Sequence, residues 1–455
     1  MTLRRNIDQY LLNWKVDDNR KALLLRGARQ VGKTFSVREF GKSFKYFIEV
    51  NFESDDVVRS IFEGNLNPKE ICNKLSTYFN IPINNGETLL FLDEIQACIP
   101  AISSLRFFFE KLPGLHVIAA GSLLEFALSE LPSFGVGRVE SVFMYPLSFD
   151  EFLLANHEDS LYDLKQNASH TSPIDNIFHT KLTAYLRQFM LTGGLPEVVR
   201  VYTETGDLFK TQKILDNLII GLNDDFSKYK KRVPVSRIRD IFEAVANQSG
   251  SKFLFSKIGG NHNYEQLKEA RNLLEMAGLI HTVYHTSANG LPLGASTNYK
   301  RFKVLLYDHG VYHRTMGLEL SKKLLLDSFN PTNKGSIAEQ FTGLELIKYT
   351  NQHSRKNIYY WHREKRGSNA EVDFIIQKEE KIVPIEVKSG TTGKMQSLRI
   401  LMNEKGINPG VRVSMENFCK YDNILVYPLY AINNLVLEDL SIKDESPAPN
   451  LDKPQ

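Results

Sequence analysis

Along the first third of the chain, short apolar runs alternate with stretches of helical apolar spacing. Ala22 to Leu25, Tyr46 to Val50, Leu89 to Leu92, Val117 to Ala120 and Val139 to Met144 are the runs, and the alternation predicts a parallel α/β sheet. From Leu161 to Lys231 the pattern turns helical, interrupted at Thr192-Gly193-Gly194-Leu195-Pro196. Glycine freedom and the fixed proline φ predict a turn there, within a helical lid. Between Arg237 and Asp308 a helical segment precedes Gly259-Gly260-Asn261, and Tyr264 to Ala277 then places Leu267, Ala270, Leu274 and Ala277 on one face. With strands at Leu279 to Tyr284 and Phe302 to Tyr307 around Asn289-Gly290, this predicts a winged helix.

The last stretch opens helically near Glu319 and continues with strands at Ile358 to Trp361, Val372 to Ile376 and Ile382 to Val387. A helix near Met395 to Met402 and strands at Val411 to Val413 and Ile424 to Tyr427 complete it. Ser441 to Gln455 has almost no apolar bulk and reads as a disordered tail. The predicted organisation is an α/β core over 1–160, a helical lid over 161–235, a winged helix over 236–318, an α/β domain over 319–432 and a tail over 433–455.

Composition narrows the field only a little. At 455 residues, 42% hydrophobic and 24% charged, the chain reads as globular with about three units. The net charge of +3 (56 − 53) leaves any basic footprint local. Cys72, Cys98 and Cys419 are far apart and lack C-x-x-C spacing, which argues against a disulfide framework or a cysteine zinc site and fits a reducing cytoplasm. Residues 1–6 do not lead into an apolar signal segment, and no run approaches the ~18 residues of a membrane span, so the expectation is a soluble, cytoplasmic protein with no membrane partner.

Two motifs carry nucleotide chemistry. Gly27-Ala28-Arg29-Gln30-Val31-Gly32-Lys33-Thr34 fits G-x4-G-K-S/T between a predicted strand and a predicted helix. Backbone N–H groups of such a loop wrap phosphate oxygens, Lys33 reaches the β and γ phosphates, and Thr34 ligates Mg²⁺. ATP and Mg²⁺ are the ligands this predicts. Leu89 to Leu92 then ends in Asp93-Glu94: Asp93 would support the metal and Glu94 would activate the attacking water. After the next strand, Ser122 would contact the γ-phosphate or the water, or cap the following helix. Arg138 would neutralise developing charge in cis or from a neighbouring subunit of a homo-oligomer, or stay a solvated surface residue. Gln96 and the side chain of Arg29 read as structural. No H-E-x-x-H or G-x-S-x-G is present, so zinc peptidase and serine hydrolase chemistry have no footing.

Together these residues resemble the AAA+ class of P-loop ATPases, specifically a prokaryotic family of ATP-binding proteins with a C-terminal domain of unknown function. Further matching positions are Asn51-Phe52-Glu53, Leu92 to Gln96, Gly121-Ser122, Gly137-Arg138 with Pro146 to Phe149, and Gly193 to Glu197. The resemblance implies that Pro196 packs near the adenine. Leu123 and Leu124 depart from it, since similar chains often place a second small polar residue after the serine.

The last domain holds a second constellation. Glu339 lies on a predicted helix, Asp373 on a strand, and Glu386-Val387-Lys388 on the next, with Glu386 and Lys388 on one face. The order resembles the PD-(D/E)xK nuclease-like, restriction-endonuclease-like fold. Asp373 and Glu386 would hold metal, and Lys388 would position water for phosphodiester cleavage. A cross-strand ion pair is the plain alternative. Lys268 and Arg271 on the predicted recognition helix, and Lys300, Arg301 and Lys303 near the wing, would meet DNA; a partner protein is the competing occupant. The expected function is an ATP-driven enzyme coupled to DNA binding or cleavage. The rival is a nucleotide-controlled switch that binds a partner protein and cuts nothing.

Overall fold

The computed structural model describes residues 3–122, 124–130, 135–229, 233–260, 263–320, 334–349, 358–365 and 367–438. The first sheet has five strands, β1 (Ala22–Arg26), β2 (Tyr46–Asn51), β3 (Thr88–Asp93), β4 (His116–Ala120) and β5 (Val139–Phe143), in the order β2-β3-β4-β1-β5. All four pairings are parallel. Successive residues of the inner strands enter opposite cores, as the two-residue strand period requires. Leu23, Leu25, Leu89 and Phe91 pack with Val37 and Phe40 of the helix Lys33–Gly41. Leu24, Leu90 and Leu92 face Ile71, Leu75, Ala101 and Leu105 on the other side. Burial on both faces explains why these strands read as unbroken apolar runs.

The stretch expected to form a lid is helical, with Asn176–Thr192, Pro196–Thr205 and Leu208–Asp225 its main elements. The glycine turn between the first two is a tight joint. Gly193 has φ +75°, and a Cβ on Gly194 would lie 2.3 Å from the Leu147 carbonyl oxygen.

The second sheet departs from the expected domain organisation. β6 (Ile280–Thr286), β7 (Thr297–Leu306), β8 (Tyr359–His362), β9 (Glu371–Lys378), β10 (Lys381–Val387), β11 (Gly410–Ser414), β12 (Cys419–Tyr421) and β13 (Ile424–Pro428) form one sheet in the order β12-β13-β11-β10-β9-β8-β6-β7. The β6–β7 hairpin is therefore not a free wing: β6 pairs in parallel with β8, Tyr284 opposite Tyr359 and His285 opposite Tyr360. The boundary drawn between 318 and 319 cuts through a continuous sheet. Pairing the hairpin's open edge satisfies backbone groups that a projecting wing would leave to solvent.

The C-terminal boundary shifts too. The helix Ile432–Leu437 extends past residue 432, with Asn433 and Asn434 buried. Asn433 donates to Asp150 at 2.7 Å and Asn434 to the Lys165 carbonyl at 2.8 Å, which docks the end of the last domain on the first. The predicted disordered stretch Ser441 to Gln455, like Leu123, Lys230 to Arg232 and Asn261, lies outside the described residues.

Candidate functional site: a nucleotide pocket and a carboxylate pocket

β1 ends and the helix Lys33–Gly41 begins across the glycine loop, which takes three positive φ values: Gly27 at 140°, Gln30 at 65° and Gly32 at 97°. A Cβ on Gly27 would stand 2.2 Å from the Met144 carbonyl oxygen, so only glycine lets the loop lie against β5's end. Lys33 is 8% exposed, and its Nζ donates to the carbonyls of Gly27 at 2.9 Å and Ala28 at 2.8 Å. Desolvation lowers its pKa to about 8, against the opposing pull of Glu94 and Asp93. This ammonium is paired with neutral carbonyls and is short of an anion.

The Thr34 hydroxyl donates to the Asp93 carboxylate at 3.1 and 3.2 Å. Burial, helped by Glu94, raises the Asp93 pKa to about 6. Glu94 stands just past β3 in the left-handed region, φ 48°, and the Gln96 side-chain amide donates to its Oε2 at 2.6 Å. Gln96 thus steers the candidate base, a role its spacing did not reveal. Its Oε1 has no hydrogen-bond partner and lies where a Cβ on Gly121 would be, at 2.1 Å.

β4 lies next to β1 on one side and β3 on the other, so Ser122 beyond its end falls between phosphate loop and carboxylates. Arg29 donates to the Ser122 hydroxyl at 3.1 Å and is ion-paired with Asp225 at the end of the helix Leu208–Asp225. A cavity of about 450 Å³ opens over these groups, lined among others by Arg29, Lys33, Thr34, Glu94, Ser122 and Pro196. Glu53, Glu197 and Arg200 also reach it. Pro196 sits against the loop, its Cγ 3.3 Å from where a Cβ on Gly32 would be.

Two residues depart from the expectation. Arg138 precedes β5 at the end opposite the loop: Val139 registers with Ala22, whereas Phe143 registers with Arg26. Four residues at about 3.3 Å each put Arg138 well away from this chain's own phosphate loop. It is ion-paired with Glu110 at 2.7 Å on the surface. Arg5, by contrast, gave no sequence signal, yet it donates to the carbonyls of Val31 at 2.9 Å and Tyr145 at 2.8 Å and pairs with Glu151 at 3.0 Å. It buttresses the loop and also lines the cavity.

The expected carboxylates of the last domain do converge. Asp373 accepts the Val387 N–H at 2.8 Å, and Lys388 pairs with Glu386 at 2.7 Å. Lys303 of β7 enters the same pocket: its Nζ is 2.7 Å from Glu371, 3.1 Å from Glu339 and 3.6 Å from Asp373. Lys303 is 1% exposed, so it cannot meet DNA as expected. Among the described residues no group of three or more His, Cys, Asp or Glu side chains is arranged to hold a metal.

Arg271 is likewise turned inward, donating to Thr282 at 2.6 Å and Glu275 at 2.7 Å. It falls four residues after Leu267 and three before Leu274, within the apolar stripe itself. Lys268 and Lys300 stay exposed, and Arg301 pairs with Glu364 at 3.4 Å.

Among the described residues no helix is long and apolar enough to cross a membrane. Residues 183–322 match a domain of unknown function, DUF8612, and residues 334–432 match another, DUF4143. No curated protein matches the chain. Among solved structures, a Walker-type ATPase of Pyrococcus abyssi is 17% identical, with 69% of this chain and 96% of that one covered at a TM-score of 0.43. The Aeropyrum pernix ORC2 protein, solved in ADPNP and ADP complexes, is 11% identical over 71% of this chain and 93% of that one at a TM-score of 0.34. Likeness this distant says nothing of function. The family match over residues 19–153 is to the AAA domain, and it contains the phosphate loop, the β3 carboxylates and Ser122; with the parallel five-stranded sheet, it makes this part of the chain an AAA-type P-loop ATPase domain.

Proposed function

We propose that the protein binds and hydrolyses ATP with Mg²⁺ and uses the cycle as a switch on its C-terminal modules, which engage a partner protein. The observation that carries this reading is the convergence of Lys33, Thr34 and Glu94 on one cavity, with Asp93 buried behind Thr34 and hydrogen-bonded to it. The loop amides and Lys33 grip the phosphates, and an arriving anion gives the Lys33 ammonium the countercharge it lacks. The Thr34 hydroxyl and Asp93 carboxylate, already in contact, are a donor set that fits magnesium. When bound, that ion neutralises charge on the β and γ phosphates. Glu94 accepts a proton from the attacking water, Gln96 holds its carboxylate in place, and Ser122 orients the γ-phosphate end. Arg138 is left for a neighbouring subunit or for the surface.

The route out of the pocket runs through the glycine turn. Pro196 touches the loop, and two residues earlier the Gly194 N–H donates to Asp308 at 2.7 Å while its carbonyl accepts from Leu147 at 2.6 Å. Lys348 then donates to the Leu147 carbonyl at 2.9 Å, and Glu345 accepts the Phe149 N–H at 2.9 Å. Both lie on the helix Lys334–Tyr349, which also carries Glu339. A lid displacement on nucleotide binding therefore acts on the C-terminal sheet through short, buried bonds.

A second reading, cleavage of DNA by the last domain, has the meeting of Asp373, Glu386 and Lys388 in its favour and the position of Lys303 against it. Steady-state ATPase assays decide the first reading. Glu94→Gln keeps ATP binding and loses turnover; undiminished hydrolysis in that variant removes Glu94 from the mechanism. Nuclease activity sensitive to Glu386→Ala and Lys388→Ala would restore the second.

A further inference from the structure

Lys303 interrupts an apolar strand. Phe302, Val304, Leu305 and Leu306 around it are all buried, and Lys303 is more deeply buried than Phe302. An ammonium taken that far from water normally gives up its proton unless carboxylates hold it. Here three do. Glu371 and Asp373 come from β9, Glu339 from the helix Lys334–Tyr349, and the Tyr360 ring lies 5.4 Å from Nζ. Their combined field outweighs desolvation and raises the Lys303 pKa above that of a free lysine.

The acids bear the cost. Burial and the neighbouring Asp373 push Glu339 up to about 8 and Glu386 up to about 7. Glu386 has one oxygen on Lys388 at 2.7 Å, while its Oε2 is buried without a hydrogen-bond partner. The pocket thus holds four carboxylates and two ammonium groups.

Magnesium and manganese need several oxygen ligands at about 2.0–2.2 Å with lone pairs free to bind. In this pocket one oxygen each of Glu339 and Glu371 is turned to Lys303, one oxygen of Asp373 is taken by the Val387 N–H, and one of Glu386 by Lys388. A divalent ion among them would also lie within a few ångströms of the Lys303 charge, where repulsion in a poorly solvated site is severe. The nuclease-like arrangement is present, but its side chains do not fit the metal that such an arrangement implies.

We propose that Lys303 is the resident cation of this pocket: its ammonium ties β7 to β9 and the helix Lys334–Tyr349, and stands where a divalent metal would otherwise bind. The clamp joins the two matched domains of unknown function, one ending at 322 and the other starting at 334, across their shared sheet. Removing it frees the carboxylates and creates a divalent-cation site. This does not depend on the nucleotide reading.

The test is Mn²⁺ titration of the full chain without nucleotide, followed by electron paramagnetic resonance, with Asp93→Asn throughout to silence the first pocket. With Lys303 present, no Mn²⁺ is bound up to millimolar concentration. Lys303→Met binds Mn²⁺ at least tenfold more tightly, and adding Asp373→Asn abolishes the gain. Lys303→Arg, which keeps a cation, binds none. Mn²⁺ bound by the Lys303 protein and lost with Asp373→Asn overturns the proposal, and that arm needs no substitution at 303, so a poorly folding Lys303→Met does not blunt it. A folded Lys303→Met that binds no Mn²⁺ also overturns it.

Discussion

The two pockets each bury a lysine, and physical chemistry drives the two in opposite directions. Lys33 is held by two neutral carbonyls, and burial lowers its pKa to about 8. Lys303 is held by three carboxylates, and its pKa is raised. Burial penalises both charges alike; what differs is the groups in direct contact, since Glu94 and Asp93 pull on Lys33 only from a distance. A buried ammonium without an anion is a binding site in waiting, because an arriving phosphate relieves a desolvation already incurred. A buried ammonium already surrounded by carboxylates is a structural part that repels other cations.

Substitutions should break the symmetry in different currencies. The largest effect is expected at Lys33: Lys33→Ala removes the buried loop ammonium that meets phosphate, and equilibrium binding should show ATP affinity falling by about 100-fold or more with the fold intact by circular dichroism. Glu94→Gln should reduce turnover by about 100-fold or more while affinity changes little, which single-turnover kinetics would separate. Lys303→Met should leave nucleotide binding alone and cost about 3 kcal/mol of stability, since removing one partner strands buried carboxylates. Urea denaturation would measure it. An unchanged midpoint would show that Lys303 clamps nothing.

Proton coupling sharpens the contrast. Bound phosphate favours charged Lys33, whose pKa without ligand is about 8. Above that pH ATP binding must take up a proton, and affinity should fall by up to about tenfold per pH unit. Calorimetry in buffers of different ionisation heat would detect the uptake. At the other pocket burial and the neighbouring Asp373 raise the Glu339 pKa above its ordinary 4.5. The folded state holds the extra proton more tightly, so this group supports folding at low pH and the contribution fades as pH rises above about 4.5. The smallest effect belongs to Arg138: with its side chain at the far end of β5, Arg138→Ala should alter the turnover of an isolated monomer by less than about twofold.

The first pocket was largely legible in the sequence and the second only in part, for a reason of range. The phosphate loop and the Asp93-Glu94 pair are local: a strand, a turn and a helix position them within a few residues, so spacing suffices. The five strands of the first sheet start and end within a residue or two of their apolar runs. Arg5 escaped notice because its contacts with Val31 and Tyr145 span 26 and 140 residues and leave no periodic trace.

In the C-terminal half, helix Tyr264–Met276 and strands β6 and β7 formed near their expected positions, but the pairing of β6 with β8 is a long-range event that turned a wing into part of a sheet. Two clues were nevertheless in view. Arg271 stands at helical spacing within an apolar stripe, and Lys303 sits inside Phe-Lys-Val-Leu-Leu, where a charge demands buried partners. Which partners, no spacing could say.

The account rests most heavily on the first pocket's lysine awaiting an anion, and calorimetric titration of ATP with Mg²⁺ into the folded protein and its Lys33→Ala variant tests it most directly. Saturable heat from the unaltered chain and none from the variant is the predicted result. No heat from the unaltered chain at millimolar nucleotide, or equal heat from both, would contradict it.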